Sequence, residues 1–96
     1  MRFRLTQQRP NVNVDFFETD ADGKSIIQEF INQNKITSDG LTVSFSENQL
    51  VKTNTMEFTS DESYNEFKNN MTIHANTLRR RTYCDENSIS WSLEVI

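Results

Sequence analysis

Residues 59–95 read TSDESYNEFKNNMTIHANTLRRRTYCDENSISWSLEV, and a change of period within this stretch decides the fold. Up to Leu78 the apolar residues Tyr64, Phe67, Met71, Ala75 and Leu78 recur every three or four positions. A helix of 3.6 residues per turn gathers such positions into one stripe. Thr59 and Glu62 stand in capping-box register at its start, and Asp61 sits where the helix dipole favours an anion. The spacing predicts one amphipathic helix of about five turns. Arg79, Arg80 and Arg81 fall in its last turn, Tyr83 and Cys84 close it, and Asp85–Ser88 break it. From Ile89 the period drops to two, with Ile89, Trp91, Leu93 and Val95 in phase, so a strand follows.

Working back from this pair, Leu50–Phe58 reads as a strand with Leu50, Met56 and Phe58 sharing a face. Ser46–Gln49 is a hairpin turn, and before it Leu41, Val43 and Phe45 alternate after the Asp39-Gly40 turn. Ile26, Ile27, Phe30 and Ile31 draw an apolar stripe on a helix that Asp22 caps and Asn34 with Lys35 closes. At the start, Phe3 and Leu5 alternate within Arg2–Gln8, and Val12, Val14 and Phe16 alternate after Pro10. Parity shifts between the two runs, and Pro10 has no N–H to donate, so an interrupted strand region is expected there.

The order is β-α-β-β-α-β without repeat or linker, which predicts a single domain over residues 1–96. The economical solution is an α+β fold on the ferredoxin-like plan: an antiparallel sheet with both helices on one face. Leu, Ile, Val and Phe make up a quarter of the chain, above the roughly 20% at which a charged chain stays disordered. The core is nonetheless thin. A second copy is therefore expected to cover the open sheet face, with Phe17, Val51, Thr53 and Thr55 on that face of a homodimer.

Bulk composition excludes several classes. A net charge of −4 argues against a nucleic-acid partner, which needs cations to displace phosphate counterions. The third strand also lacks the aromatic pattern of RNA-recognition modules. The apolar runs are pairs such as Phe16-Phe17 and Ile26-Ile27, too short for a membrane span. Met1–Pro10 has no apolar segment of a secretory signal, so a cytoplasmic protein is expected and the Asn70-Met71-Thr72 sequon is read as idle. Asn, Ile and Phe richness suits an AT-rich genome, a bacteriophage's among them.

Each candidate site has a structural reading beside it. Glu18, Asp20, Asp22, Gly23 and Glu29 occupy positions 1, 3, 5, 6 and 12 of a calcium-loop pattern. Yet Glu replaces Asp at position 1, and the segment before it alternates like a strand. A capped turn is the better reading, and neither metal nor cofactor is expected. His74 lies on or beside the predicted stripe, where it would serve as a general acid or base in a pocket or simply edge the core. Cys84 beside three arginines invites a lowered thiol pKa, against a small packing residue. Arg79, Arg80 and Arg81 balance the helix dipole or bind an anion or acidic partner. Trp91 packs in the core, or marks a partner surface if it faces the other way.

Two functions follow. The preferred one is a non-catalytic domain acting through protein–protein contact, as a homodimer through its sheet. The alternative is a small-molecule binder or enzyme, a dimeric α+β barrel with a pocket between sheet and helices lined by His74, Tyr83 and Trp91.

Overall fold

The computed structural model describes all 96 residues, Met1–Ile96. Strands β1 (Arg2–Gln8), β2 (Thr42–Phe45), β3 (Val51–Glu57) and β4 (Ser90–Val95) form one antiparallel sheet in the order β2-β3-β1-β4. Three helices accompany it, α1 (Ala21–Asn32), α2 (Asp61–Lys68) and α3 (Met71–Glu86).

The ladder registers place the inner, helix-facing side chains in rows across the strands. One row runs Phe45, Lys52, Gln7 and Trp91, and the next Val43, Asn54, Leu5 and Leu93. A third joins Met56, Phe3 and Val95. The opposite face carries Arg2, Arg4, Thr6 and Gln8 from β1, with Thr42, Ser44, Thr53, Thr55, Glu57, Ser90, Ser92 and Glu94 from its neighbours. Val51 is its one apolar side chain. The expected open-face positions Val51, Thr53 and Thr55 lie there. Phe17 does not, because the chain has left the sheet before it.

That departure corrects the interrupted strand. β1 ends at Gln8, and an Asn11 turn, with Oδ1 accepting from Asn13 N–H at 2.9 Å, carries the chain away. Proline and an asparagine turn end the ladder together. Phe16 returns to the interior, 8% exposed, while Val12 stays in solvent.

Helix α1 is capped two residues earlier than expected. Asp20, not Asp22, is its cap, with Oδ1 accepting from Gly23 N–H at 2.8 Å. Asn34 adopts φ 58° just beyond it, a left-handed position that asparagine tolerates, and closes the helix as the sequence suggests.

The long second helix is two helices. Ser60 caps α2, its Oγ accepting from Ser63 N–H at 3.1 Å. The chain then breaks at Asn69-Asn70, and Asn70 Oδ1 accepts from Thr72 and Ile73 N–H to start α3. Asparagine competes for its neighbours' backbone groups and favours caps over helix interiors. Helix α3 also runs on to Glu86, so the three arginines lie mid-helix and its last turn carries no cation. The expected dipole compensation by Arg79–Arg81 is therefore absent.

One end of the interior is apolar. Phe30, Ile36 and Phe58 are buried, with Phe3, Ile26, Ile27, Leu41, Met56, Tyr64 and Phe67 packed on them. Phe3 stacks on Tyr64 at 4.5 Å between centroids, and Phe58 meets Tyr64 and Phe67 at 5.5 and 5.2 Å. Such aromatic pairs add to plain area burial. Gly40 allows this end to close, since a Cβ there would stand 2.5 Å from Glu57 Cβ.

Candidate functional site

At the other end the interior sets buried polar groups among the apolar Phe16, Ile73 and Ile89, and helix α3 contributes to both. Its buried residues are Ile73, Asn76 and Cys84, with Arg80 half-buried on the same side. Spacings of three and four set these four on one face. Met71, Ala75, Leu78 and Thr82 follow the same spacing half a turn away, so they face outward. Met71 is 87% exposed and Leu78 48%. The stripe read as core in the sequence is thus the outside of α3.

Beneath α3, Gln7 and Lys52 are 2% and 7% exposed. Cys84 Sγ donates to Gln7 Oε1 at 3.8 Å, and Asn76 Oδ1 accepts from Asp20 N–H at 3.4 Å. Lys52 Nζ lies 3.9 Å from Glu18 Oε1 and 5.8 Å from the Phe16 ring centroid, over which Arg9 also sits at 4.5 Å. Arg80 and Arg81 stand 5.8 and 5.3 Å from the Trp91 ring centroid. Arg80 Nε is buried without a hydrogen-bond partner, as is Asn54 Oδ1. Burial lowers the Arg80 pKa, with Arg81 adding to that and Cys84 opposing it.

The candidate catalytic side chains diverge. His74 is exposed on the outer side of α3, in a shallow hollow with Lys68, Asn69, Met71, Ala75 and Leu78. Tyr83 Oη donates to the Asp15 carbonyl at 2.6 Å, tying the 9–20 segment to α3, and its ring lies 5.7 Å from Phe17. Cys84 points the opposite way, fully buried. Burial pushes its thiol pKa up, outweighing the pull of Arg80, with Asp85 adding to the rise. Such burial suits the small packing residue that the sequence also allowed.

The calcium-pattern residues are spent singly. Glu18 pairs with Lys52, and Asp20 caps α1 while its second oxygen pairs with Arg79. Asp22 stays exposed in the first turn of α1, and Glu29 accepts weakly from Gln33 at 3.5 Å. No three His, Cys, Asp or Glu side chains converge on a common point. Of the predicted anion contacts, Arg79 is paired and Arg80 and Arg81 flank Trp91, which sits half-buried on the helix-facing side.

Sequence reasoning missed the groove along α3. Its first hollow runs from Lys68 to Leu78, and a second continues from Leu78 past Phe17, Thr82 and Tyr83 to Glu86. The signal for it was Asn69-Asn70, which ends one helix and starts another. No helix is long and apolar enough to cross a membrane.

No family model and no curated protein sequence matches the chain. Among solved structures, a formyltetrahydrofolate deformylase from Burkholderia mallei shares 12% identity over 99% of this chain, at a TM-score of 0.42. A protein described as a candidate antibiotic biosynthesis monooxygenase from Deinococcus radiodurans shares 6% over 100% of the chain and 92% of its own length, at 0.49. A candidate amidohydrolase/peptidase from Burkholderia cenocepacia shares 16% at 0.37. The chain spans 28% of the deformylase and 26% of the amidohydrolase. Likeness at these scores assigns neither family nor activity.

Proposed function

We propose that this chain is a non-catalytic module on the ferredoxin-like plan, α2 and α3 together standing for its second helix, and that it works through protein–protein contact. One observation carries the reading: α3 presents Met71 and Leu78 to solvent, with Ala75 half-buried between them, while it buries Ile73, Asn76 and Cys84 and half-buries Arg80. A helix that only completed its own core would gain more by the reverse arrangement. Contiguous exposed apolar surface with a polar rim marks interaction sites.

The open sheet face is a poorer contact. It offers hydroxyls, an Arg4–Glu94 ion pair and Val51, and desolvating such groups costs free energy unless each finds a new partner. We therefore place the contact on α3 instead of on the sheet.

The test is a thermal-melt panel of metabolites and metals, Ca²⁺ included. Contact function expects no shift in melting temperature, because the α3 hollows are shallow and enclose nothing. A ligand-dependent rise that His74→Ala abolishes would make the groove a small-molecule site and overturn this reading.

A further inference from the structure

We infer that the partner on α3 is a second copy of this chain, bound α3 to α3, antiparallel, about a two-fold axis beside Leu78. The inference rests on the contact reading and names its occupant.

The groove is two hollows in line that share Leu78, one ending at Lys68 and the other at Glu86. The second hollow also holds Arg79, but that cation is paired with Asp20, so Lys68 is left at one end and Glu86 at the other. A two-fold axis at Leu78 exchanges the ends, so each Lys68 meets the partner's Glu86 and the helix dipoles run opposed. A parallel pair would set like charges together. Neither residue has an intrachain ion pair, since Arg4–Glu94, Lys35–Glu66, Lys52–Glu18 and Arg79–Asp20 involve neither.

Side-chain size agrees. Ala75 lies between Met71 and Leu78, so the partner's Leu78 and Thr82 have room to approach the backbone there. Such a face is complementary to itself, and a two-fold contact closes on two copies without leaving a surface for further growth.

Another surface competes for the second copy. Ile96 N–H donates to the Arg2 carbonyl at 2.9 Å, so by the two-residue alternation of antiparallel ladders Trp91, Leu93 and Val95 turn their backbone groups to the free edge of β4. That edge has no Lys, Pro or Gly to discourage pairing. It lacks the paired opposite charges of α3.

Disulfide trapping separates the surfaces, with little background because Cys84 is buried. Leu78→Cys, Leu93→Cys and Thr53→Cys place a thiol at the α3 axis, the β4 edge and the sheet face. Under mild oxidation Leu78→Cys is expected to give covalent dimer and the other two monomer; dimer from Leu93→Cys or Thr53→Cys instead overturns the assignment. Lys68→Glu and Glu86→Lys should each weaken association severalfold in sedimentation equilibrium, and the double variant should restore it. Failure of the double variant to recover overturns the register. Wild-type protein that sediments as a monomer at every concentration overturns the second copy, yet leaves the contact reading to its own melting panel.

Discussion

Strand β1 spans two interiors built on opposite principles. At one end Phe3 stacks on Tyr64 and meets Phe58, inside a cluster made by α1, α2 and β3. Two pleats along, Gln7 faces the same side and is more deeply buried, yet its neighbours are Lys52, Trp91 and Cys84. The first end is held by non-directional apolar burial. The second buries polar groups of which some are answered, as Cys84 is by Gln7, and some are not, as with Arg80 Nε, while α3 turns Met71 and Leu78 outward. The aromatic cluster and the proposed contact surface thus stand at different ends of one sheet.

Breaking the apolar end should cost most. Phe58 is 3% exposed and touches three aromatic rings, so Phe58→Ala is expected to destabilise by about 3–5 kcal/mol in urea titration. A loss below about 1 kcal/mol would mean that the ring cluster is not the stabilising centre.

At the polar end Lys52 tests the opposite expectation. Its carboxylate partner Glu18 is 76% exposed and 3.9 Å away, too far and too wet to offset the burial of an ammonium. Lys52→Met keeps the length of the side chain and removes the charge. It is expected to be neutral or stabilising by about 1 kcal/mol. Marked destabilisation would show that the Glu18 and Phe16 contacts hold this end together.

The smallest effect is in pH. Burial raises the Cys84 thiol pKa above its unfolded value, so the folded state favours the neutral thiol. Its contribution to stability is full below about pH 8.5, where the unfolded thiol ionises, and is lost as pH rises through the raised folded value. Melting temperature should therefore fall more from neutral pH to pH 10 in the wild type than in Cys84→Ala. Equal slopes would remove Cys84 from the account of alkaline instability.

Much of the apolar end was legible in the sequence. The Ile26–Ile31 stripe, the turns at Asp39-Gly40 and Ser46–Gln49, and the two-residue period of Ile89–Val95 are local patterns, and the chain follows them. The polar end was not. Tyr64, Phe67, Met71, Ala75 and Leu78 keep helical spacing across Asn69-Asn70, so the sequence shows one continuous stripe. The break re-aims the second helix, and spacing within a helix carries no information on which side a neighbouring helix will turn inward. The opposite stripe, Ile73, Asn76, Arg80 and Cys84, is mostly polar and reads as surface. Gln7 and Lys52 share the inner parity of Phe3 and Met56, but a polar residue on a core face is assigned to solvent by composition alone. The candidate site was obscured for the same reason, since it consists of the residues taken for core.

Two substitutions on α3 address that reversal directly. Ile73 is 7% exposed beneath the helix and Leu78 is 48% exposed above it, five residues apart on the same element. In dilute protein, Ile73→Asp should lose about 3 kcal/mol or more, because it buries an unpaired carboxylate. Leu78→Asp should melt within about 0.5 kcal/mol of the wild type. The opposite ranking, with Leu78→Asp unfolding the chain and Ile73→Asp tolerated, would return the Met71–Leu78 stripe to the core and remove the contact surface.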